Sequence, residues 1–194
     1  METILTIDFD IIMWPSIELY NHAIDGYTDI MLNLEQEIPL IKYANPDLKL
    51  YEKITEYLLN KINKIPIIFI DTHEEILKYI NEPSVVINID HHHDLGYNEF
   101  QINDDKIVCG NWAYKGLKNG KIQNYIWLHE YMSTPIICEE KLNIVNLNIN
   151  EINLNNLQNP SKIIICSSYC WIPTQIRPLF TIWKNMIKKG DKND

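Results

Sequence analysis

The chain is short of positive charge. It has 17 lysine and arginine residues against 26 aspartate and glutamate residues, so its 194 residues carry a formal net charge of -9. A ligand with a phosphate backbone needs clustered lysine and arginine side chains, and this balance therefore argues against a nucleic-acid partner. A cationic substrate fits the charge better.

Long hydrophobic runs are also missing. No apolar run approaches the roughly 20 residues that span a bilayer, and no basic segment precedes the apolar residues near the N-terminus. We therefore expect a cytoplasmic protein that makes no membrane contact. No low-complexity hinge divides residues 1–194, and we expect them to fold as one domain.

The cysteines lack the pattern of a disulfide framework or of a zinc site. Cys109, Cys138, Cys166 and Cys170 contain no Cys-x-x-Cys spacing, and no second pair accompanies the last two. We interpret all of them as reduced, small, buried residues.

Three apolar runs of the sequence end in Ile-Asp, and a further metal-binding residue type follows each one. Together with the metal-binding residues that follow them, these runs cover residues 4–10, 67–73 and 85–94. Runs of β-branched residues without polar alternation are typical of strands that are buried on both faces of a parallel sheet. Open α/β sheets place their sites at the carboxyl ends of strands. We therefore expect one crevice to collect Asp8, Asp10, His73, Asp90, His92 and Asp94.

Helical patterns separate these strands. Apolar residues at spacings of three and four predict a helix over residues 48–62, with Leu48, Tyr51, Ile54, Leu58 and Ile62 on its buried face. Thr72 and Glu75 fit a capping box that opens a second helix, with His73 in its first turn and Ile76, Leu77 and Ile80 buried. Residues 17–27 show a loose helical pattern, and residues 31–46 are expected to be irregular or a short helix.

The second half continues this alternation. Residues 97–106 are predicted to be a loop, followed by a short helix that opens at residues 110–112 and closes at Gly120. Strands are expected at residues 125–128 and 162–166, with an edge strand and a connection between residues 142 and 160. A last helix begins near Gln175, with one apolar face. The order predicts an α/β protein, a three-layer α-β-α sandwich with a mostly parallel sheet.

The third run carries the strongest metal signal. Asp90, His92 and Asp94 alternate along an extended segment, so their side chains emerge on one side of the backbone. Oxygen and nitrogen donors without a nearby thiolate favour Mn²⁺, with Fe²⁺ or Zn²⁺ as alternatives. Four carboxylates balance two divalent ions, and a hydroxide between the ions is the expected nucleophile. Taken alone, each strand-end aspartate is equally well explained as a helix cap.

These motifs resemble those of a known superfamily. Asp-His-His-His-Asp at residues 90–94 resembles the Asp-Ala-His-x-Asp signature of the arginase, agmatinase and deacetylase superfamily, and Asp-Phe-Asp at residues 8–10 resembles its Asp-x-Asp signature. Residues 71–74, 89–95 and 111–112, together with Trp127, more closely resemble a small arginase-related family that includes peptide arginases. Peptide arginases convert arginine side chains to ornithine in ribosomally made peptides. The resemblance covers most of the chain, from Thr3 to about Leu128.

The resemblance implies roles for individual residues. Asp90 and Asp8 match the bridging carboxylates of a binuclear centre. His73 and Asp94 would complete one metal position, and His92 and Asp10 the other. Glu74 is the nearest candidate for the acid that holds the guanidinium. Supporting or substrate-contacting roles are expected for Asp71, His91, His93, Asn111 and Trp112.

Two departures from the superfamily shape the expected fold and substrate. The Asp-x-Asp element comes first here instead of near the C-terminus, so an arginase-like sheet would have a rearranged strand order. The chain is also shorter and has no counterpart of the motifs that recognise the α-amino and α-carboxylate groups of free arginine. We therefore expect hydrolysis of arginine within a peptide. The oligomeric state is not predicted.

Two other functions remain open. Phosphoesterases of the Asp-His-His type carry the same triplet and an N-terminal Asp-x-Asp, although Ile4 stands where a histidine is expected and no glycine-rich substrate domain follows. A non-catalytic family member would keep the metal ligands and lack turnover.

Overall fold

One all-parallel sheet forms the centre of the molecule. The computed structural model describes residues 1–14, 45–130, 136, 142–169, 172 and 176–190. The strands are β1 (Glu2–Asp8), β2 (Met13–Trp14), β3 (Asn45–Pro46), β4 (Ile67–Ile70), β5 (Ser84–Ile89), β6 (Ile122–His129), β7 (Ile144–Asn148) and β8 (Lys162–Cys166). Six of them form the sheet in the order β4-β8-β1-β5-β6-β7. The short strands β2 and β3 form a separate antiparallel pair.

Helices cover both faces of this sheet. The α-helices are α1 (Leu48–Leu59), α2 (Glu99–Asn103), α3 (Trp112–Lys118) and α4 (Arg177–Gly190), and 3-10 helices cover Phe9–Ile12, His73–Lys78, Ile149–Glu151 and Leu154–Asn156. Helices α1 and α4 pack on the face that carries Leu5, Ile87 and Ile165. Helix α3 and the 3-10 helix His73–Lys78 pack on the opposite face, over Ile4 and Val86. The predicted α/β sandwich is confirmed.

The register of the central strands aligns their carboxyl ends. Ile7 of β1 pairs with Ile89 of β5 on one side and with Ile165 of β8 on the other. All three side chains are fully buried, as expected for β-branched residues in a doubly covered sheet. The next residues, Asp8 and Asp90, therefore leave the sheet at the same edge.

The predicted strands at residues 125–128 and 162–166 are confirmed within β6 and β8, and β7 is the predicted edge strand. The last helix begins at Arg177, close to the predicted start near Gln175, and its apolar face buries Phe180, Trp183 and Ile187. Of the described cysteines, neither Cys109 nor Cys166 forms a disulfide; Cys166 is buried as predicted, whereas Cys109 is only partly buried. None of the helices in the described segments is both long and apolar enough to cross a membrane.

One predicted apolar face is partly wrong. Helix α1 begins directly after Asp47, whose side chain accepts a hydrogen bond from the Leu50 amide. This cap leaves Leu48 in the first turn, where it is 56% exposed. Leu50 and Tyr57 join the buried face instead.

Two other local predictions are corrected. Thr72 does not cap through its side chain; its hydroxyl donates to the Glu75 carboxylate at 3.4 Å, and the helix that follows is a 3-10 helix. The stretch predicted as a loop contains α2, because Asn98 caps it by accepting from the Gln101 amide. Since α2 buries no residue, it has no apolar periodicity to detect. The predictions for residues 17–27, most of 31–46, Cys138 and Cys170 lie outside the described residues.

Candidate metal centre

The structure brings the predicted ligands together in two groups at the carboxyl edge of the sheet. Strands β1 and β5 present Asp8 and Asp90, and His73 is the first residue of the 3-10 helix after β4. The Asp8 group consists of Asp8, His73, Asp90 and Asp94. The Asp10 group consists of Asp10, Asp90 and His92.

The Asp8 group surrounds a single imidazole nitrogen. His73 Nδ1 lies 3.2 Å from Asp8 Oδ2, 3.0 Å from Asp90 Oδ2 and 2.9 Å from Asp94 Oδ2. These distances are short, but none of the three contacts has the geometry of a hydrogen bond. Three carboxylates around a nitrogen that bonds to none of them suit a shared cation.

The Asp10 group shows the same feature. His92 Nδ1 lies 3.0 Å from Asp10 Oδ2 and 3.7 Å from Asp90 Oδ1. Both Asp10 oxygens are buried, and neither has a hydrogen-bond partner. A buried carboxylate without such a partner is costly unless a cation compensates it. The residues of both groups therefore fit divalent ions.

Asp90 belongs to both groups. Its Oδ2 faces His73 and its Oδ1 faces His92, and within each three-residue set, Asp8-His73-Asp90 and Asp10-Asp90-His92, the donor atoms lie within 4.8 Å of one another. Asp8 has a different geometry, because its Oδ1 accepts a hydrogen bond from the Asp10 amide at 3.2 Å. A bridging role for Asp8 stays a prediction.

Crowding of the carboxylates shifts their protonation. Burial and the adjacent Asp8 carboxylate raise the pKa of Asp10 to about 7. Burial and the Asp90 charge raise the pKa of Asp94 well above its ordinary value. Burial lowers the pKa of His73, but Asp8 and the other facing carboxylates outweigh burial and raise it. Protons and metal ions compete for such atoms, so the site has the electrostatics of a cation-binding centre.

Hydrogen bonds orient each residue of the Asp8 group. Ser168 Oγ donates to Asp8 Oδ2 at 2.6 Å, and Thr6 Oγ1 lies 2.9 Å from His73 Nε2. If Nδ1 holds an ion, Nε2 carries the ring proton and can donate it to Thr6 Oγ1. Partners that fix a ligand in this way are characteristic of metal sites.

The carboxylates from the third run have comparable support. Asn88 Nδ2 donates to Asp90 Oδ2 at 3.1 Å and to the Tyr125 hydroxyl at 2.7 Å. Trp112 Nε1 donates to Asp94 Oδ2 at 2.5 Å. Asp94 also has a left-handed backbone with φ of 53°, which is uncommon outside glycine.

The other predicted residues occupy varied positions. Asp71 is exposed, and its backbone carbonyl accepts hydrogen bonds from the Ser167 hydroxyl and the Cys166 thiol. Asn111 holds the preceding loop by donating to the carbonyls of Gln101 and Lys106. These contacts support the loop and do not reach either ligand group.

Two histidines of the third run turn away from the ligand groups. His91 Nδ1 lies 2.9 Å from Glu130 Oε1, and both residues are buried. His93 Nδ1 accepts the Leu95 amide at 3.0 Å, and its ring stacks on Tyr97. Glu74, in contrast, keeps one buried oxygen, Oε2, without a hydrogen-bond partner.

Sequence reasoning missed several supporting residues. Thr6 and Asn88 each lie two positions before a ligand on the same strand, so strand alternation was sufficient to find them. Ser168 follows a buried strand, as the ligands do. Glu130 had no comparable signal, because its position depends on β6 lying next to β5.

In comparisons with known proteins, no family model, curated protein or solved structure matches this chain. The candidate centre therefore depends on its own geometry and on the resemblance of its motifs.

Proposed function

We propose that this chain is a binuclear metal-dependent hydrolase that converts arginine in a peptide to ornithine and releases urea. The metal-dependent part depends on one observation, the shared carboxylate. Asp90 Oδ2 lies 3.0 Å from His73 Nδ1, and Asp90 Oδ1 lies 3.7 Å from His92 Nδ1. One residue thus serves two adjacent sets of ligands, as a binuclear centre requires.

Mn²⁺ is the favoured ion in both positions, with Fe²⁺ and Zn²⁺ as alternatives, because the donors are carboxylate oxygens and imidazole nitrogens. The Asp8 group would hold one ion and the Asp10 group the other. Such ions, when bound, lower the pKa of water and polarise the group under attack.

The substrate part of the proposal depends on charge and on the motif resemblance. Four buried carboxylates line this edge of the sheet, from Asp8, Asp10, Asp90 and Asp94. Two divalent ions would neutralise them, so a cationic guanidinium meets no net positive charge on approach. The resemblance to arginase-related motifs selects a guanidinium among possible cations.

We propose that Glu74 contacts the guanidinium. It directly follows His73, and its Oε2 atom is a buried acceptor that lacks a donor. A guanidinium offers several N–H donors in one plane and pairs strongly with a carboxylate.

The reaction balances with one water molecule. A C–O bond forms at the guanidinium carbon, and the bond from that carbon to the side-chain nitrogen breaks. Both protons of the water finish on the departing nitrogen, which leaves as an ammonium group beside neutral urea.

The direct test is urea release. Purified protein with Mn²⁺ is incubated with arginine-containing peptides and with free arginine, while urea is measured and each peptide is analysed for ornithine by mass spectrometry. We expect urea from peptides in preference to free arginine. Urea from none of them would overturn the substrate class; hydrolysis of a generic phosphodiester instead would favour the Asp-His-His alternative. Metal binding without either activity would indicate a non-catalytic protein.

The Glu74 assignment has a matched control in the next residue. Glu74→Gln is expected to raise KM for a peptide substrate by at least about 10-fold with little change in Mn²⁺ affinity, because only the charged partner of the guanidinium is lost. Glu75→Gln should leave KM unchanged, since the Glu75 carboxylate is engaged by Thr72 and by Lys78 at 3.4 Å. Equal effects of the two variants would contradict the assignment.

A further inference from the structure

A fourth strand end reaches the metal centre. Strand β8 lies between β4 and β1 in the sheet, so the residues that follow Cys166 arrive beside Asp8. Ser168 is one of them, and it is 3% exposed. Its hydroxyl donates to Asp8 Oδ2 at 2.6 Å, the same oxygen that faces His73.

The backbone of Ser168 is strained. Its φ is 43°, a left-handed conformation in which the Cβ atom of an L-residue crowds the neighbouring carbonyl. Glycine adopts this conformation without that contact. A serine here therefore has a less favourable backbone than the glycine that local geometry prefers.

Contacts on both sides hold this backbone in place. The Ser167 amide donates to the Ile70 carbonyl at 3.0 Å, and the Ser167 hydroxyl donates to the Asp71 carbonyl at 3.3 Å. On the other side, Arg177 Nη2 donates to the Tyr169 carbonyl at 3.0 Å. Strained residues persist where their surroundings impose the conformation, and they cluster at functional sites.

We propose that Ser168 is a positioning residue that raises the metal affinity of the Asp8 group by fixing the Asp8 carboxylate, at the cost of a strained backbone. The inference rests on the proposed metal centre, but it does not depend on the substrate. A hydroxyl that donates to a ligand carboxylate limits its rotation, so fewer orientations are lost when an ion binds.

Three variants separate the hydroxyl from the backbone. Ser168→Ala and Ser168→Gly both remove the hydroxyl, whereas Ser168→Thr keeps it. Mn²⁺ affinity is measured by calorimetric titration, and Tm of the metal-free protein is measured in parallel. We expect Ala and Gly to weaken Mn²⁺ binding at the Asp8 group by about 10-fold to 100-fold. Thr keeps the hydroxyl but fits a left-handed backbone less well than Ser, so it should bind Mn²⁺ more tightly than Ala and Gly do.

The Tm values should follow a different order. Glycine relieves the left-handed conformation, so the Gly variant should have a Tm roughly 2–4 °C above that of the Ala variant, although the two bind Mn²⁺ equally. If Ser168 supported only folding, the Mn²⁺ affinities of the variants would follow the same order as their Tm values. The inference is overturned if Gly binds Mn²⁺ more tightly than Ala, or if both bind like the natural protein.

Asp90→Ala separates this inference from the proposed function. If Asp90→Ala loses Mn²⁺ while Ser168→Ala keeps full affinity, only the role of Ser168 is wrong. If Asp90→Ala also keeps Mn²⁺, both the proposed metal centre and the proposed role of Ser168 are wrong. Absence of urea release affects neither conclusion, because the readout is binding.

Discussion

The two ligand groups differ in how firmly the protein holds them. In the Asp8 group, every candidate ligand forms a hydrogen bond with a residue outside both groups. The supporting residues are Ser168, Thr6, Asn88 and Trp112. In the Asp10 group, neither oxygen of Asp10 has a hydrogen-bond partner, and the His92 side chain is 22% exposed.

This difference predicts unequal metal positions. Ligands held in place lose less conformational freedom when an ion binds, so affinity is higher at a supported site. We expect the first Mn²⁺ to fill the Asp8 group and the second to bind more weakly at the Asp10 group. The weaker position is also the one with the more accessible histidine.

The largest effect is expected from the residue that both groups share. Asp90→Ala should abolish binding of both ions, because each position loses a carboxylate and keeps its other buried ligands uncompensated. Metal content after dialysis against Mn²⁺ measures this directly. Asp90→Asn is nearly isosteric and tests the same charge if the Ala variant folds poorly.

Asp71→Ala is the matched control. Asp71 follows strand β4 as Asp90 follows β5, but its side chain is exposed. The Asp71→Ala variant should still bind two Mn²⁺ ions per chain. If a variant at Asp90 retains two ions, the proposed set of metal ligands is wrong.

Removing one unshared ligand should affect one ion. Asp10→Asn is expected to reduce the stoichiometry from two Mn²⁺ to one, with the remaining ion bound as tightly as before. Asp94→Asn should instead weaken the tighter ion, since Asp94 Oδ2 lies 2.9 Å from His73 Nδ1. Calorimetric titration resolves the two steps, and an equal loss in both variants would contradict the inequality of the groups.

The second ion should bind more tightly as the pH rises through about 7. Ligands bind metal in their deprotonated form, and burial with the Asp8 charge raises the pKa of Asp10 to about 7. Burial lowers the pKa of His92, but the facing Asp10 and Asp90 carboxylates outweigh burial and raise it well above its ordinary value. Below about pH 7 the ion therefore competes with a proton on each of these two ligands, Asp10 and His92, and each proton changes the affinity by up to ~10-fold per pH unit. Titrations between pH 6 and 8 test this, and a second step independent of pH would exclude competition at Asp10.

The same pKa predicts a stability change in metal-free protein. The folded state keeps the Asp10 proton up to about 7, whereas the ordinary value is 3.8. The folded state thus binds more protons across this interval, so this group lowers the free energy of unfolding as the pH rises from 3.8 to about 7. In the Asp10→Asn variant, the free energy of unfolding should fall less over this pH range. Denaturant titrations at several pH values measure this. An unchanged slope would show that Asp10 is ionised in the folded protein.

The strands were largely predictable from the sequence, whereas the pairing of ligands was not. Runs such as residues 67–70 and 162–166 are apolar without alternation, which is a local signal of a buried strand. Which ligands meet depends on strand order, and β8 enters between β4 and β1 from the far end of the chain. No local pattern encodes that position, and for this reason Ser168 was missed.

The position of α2 was unpredictable for another reason. Its residues are all at least partly exposed, so the apolar periodicity that marks α4 is missing. The cap at Asn98 is its only local signal, and asparagine is common in this chain. The polar residues within the strands that support the ligands were predictable, since Asn88 interrupts an otherwise apolar run two residues before Asp90.

The smallest effect compares two tryptophans on opposite faces of the sheet. Trp112 Nε1 donates to Asp94 Oδ2 at 2.5 Å, and Trp183 Nε1 donates to Thr55 Oγ1 at 2.6 Å. Both indoles are almost fully buried, so replacing either by Phe removes similar volume and one hydrogen bond. Each change should cost about 1–3 kcal/mol of stability.

Only the Trp112→Phe variant should bind metal less well. It frees the Asp94 carboxylate and is expected to weaken the tighter Mn²⁺ site by about 10-fold, whereas Trp183→Phe leaves both groups intact. Mn²⁺ titration and thermal unfolding of the two variants check this. If both variants lose affinity in proportion to Tm, the indole of Trp112 supports the fold in general, and the difference between the two ligand groups has another origin.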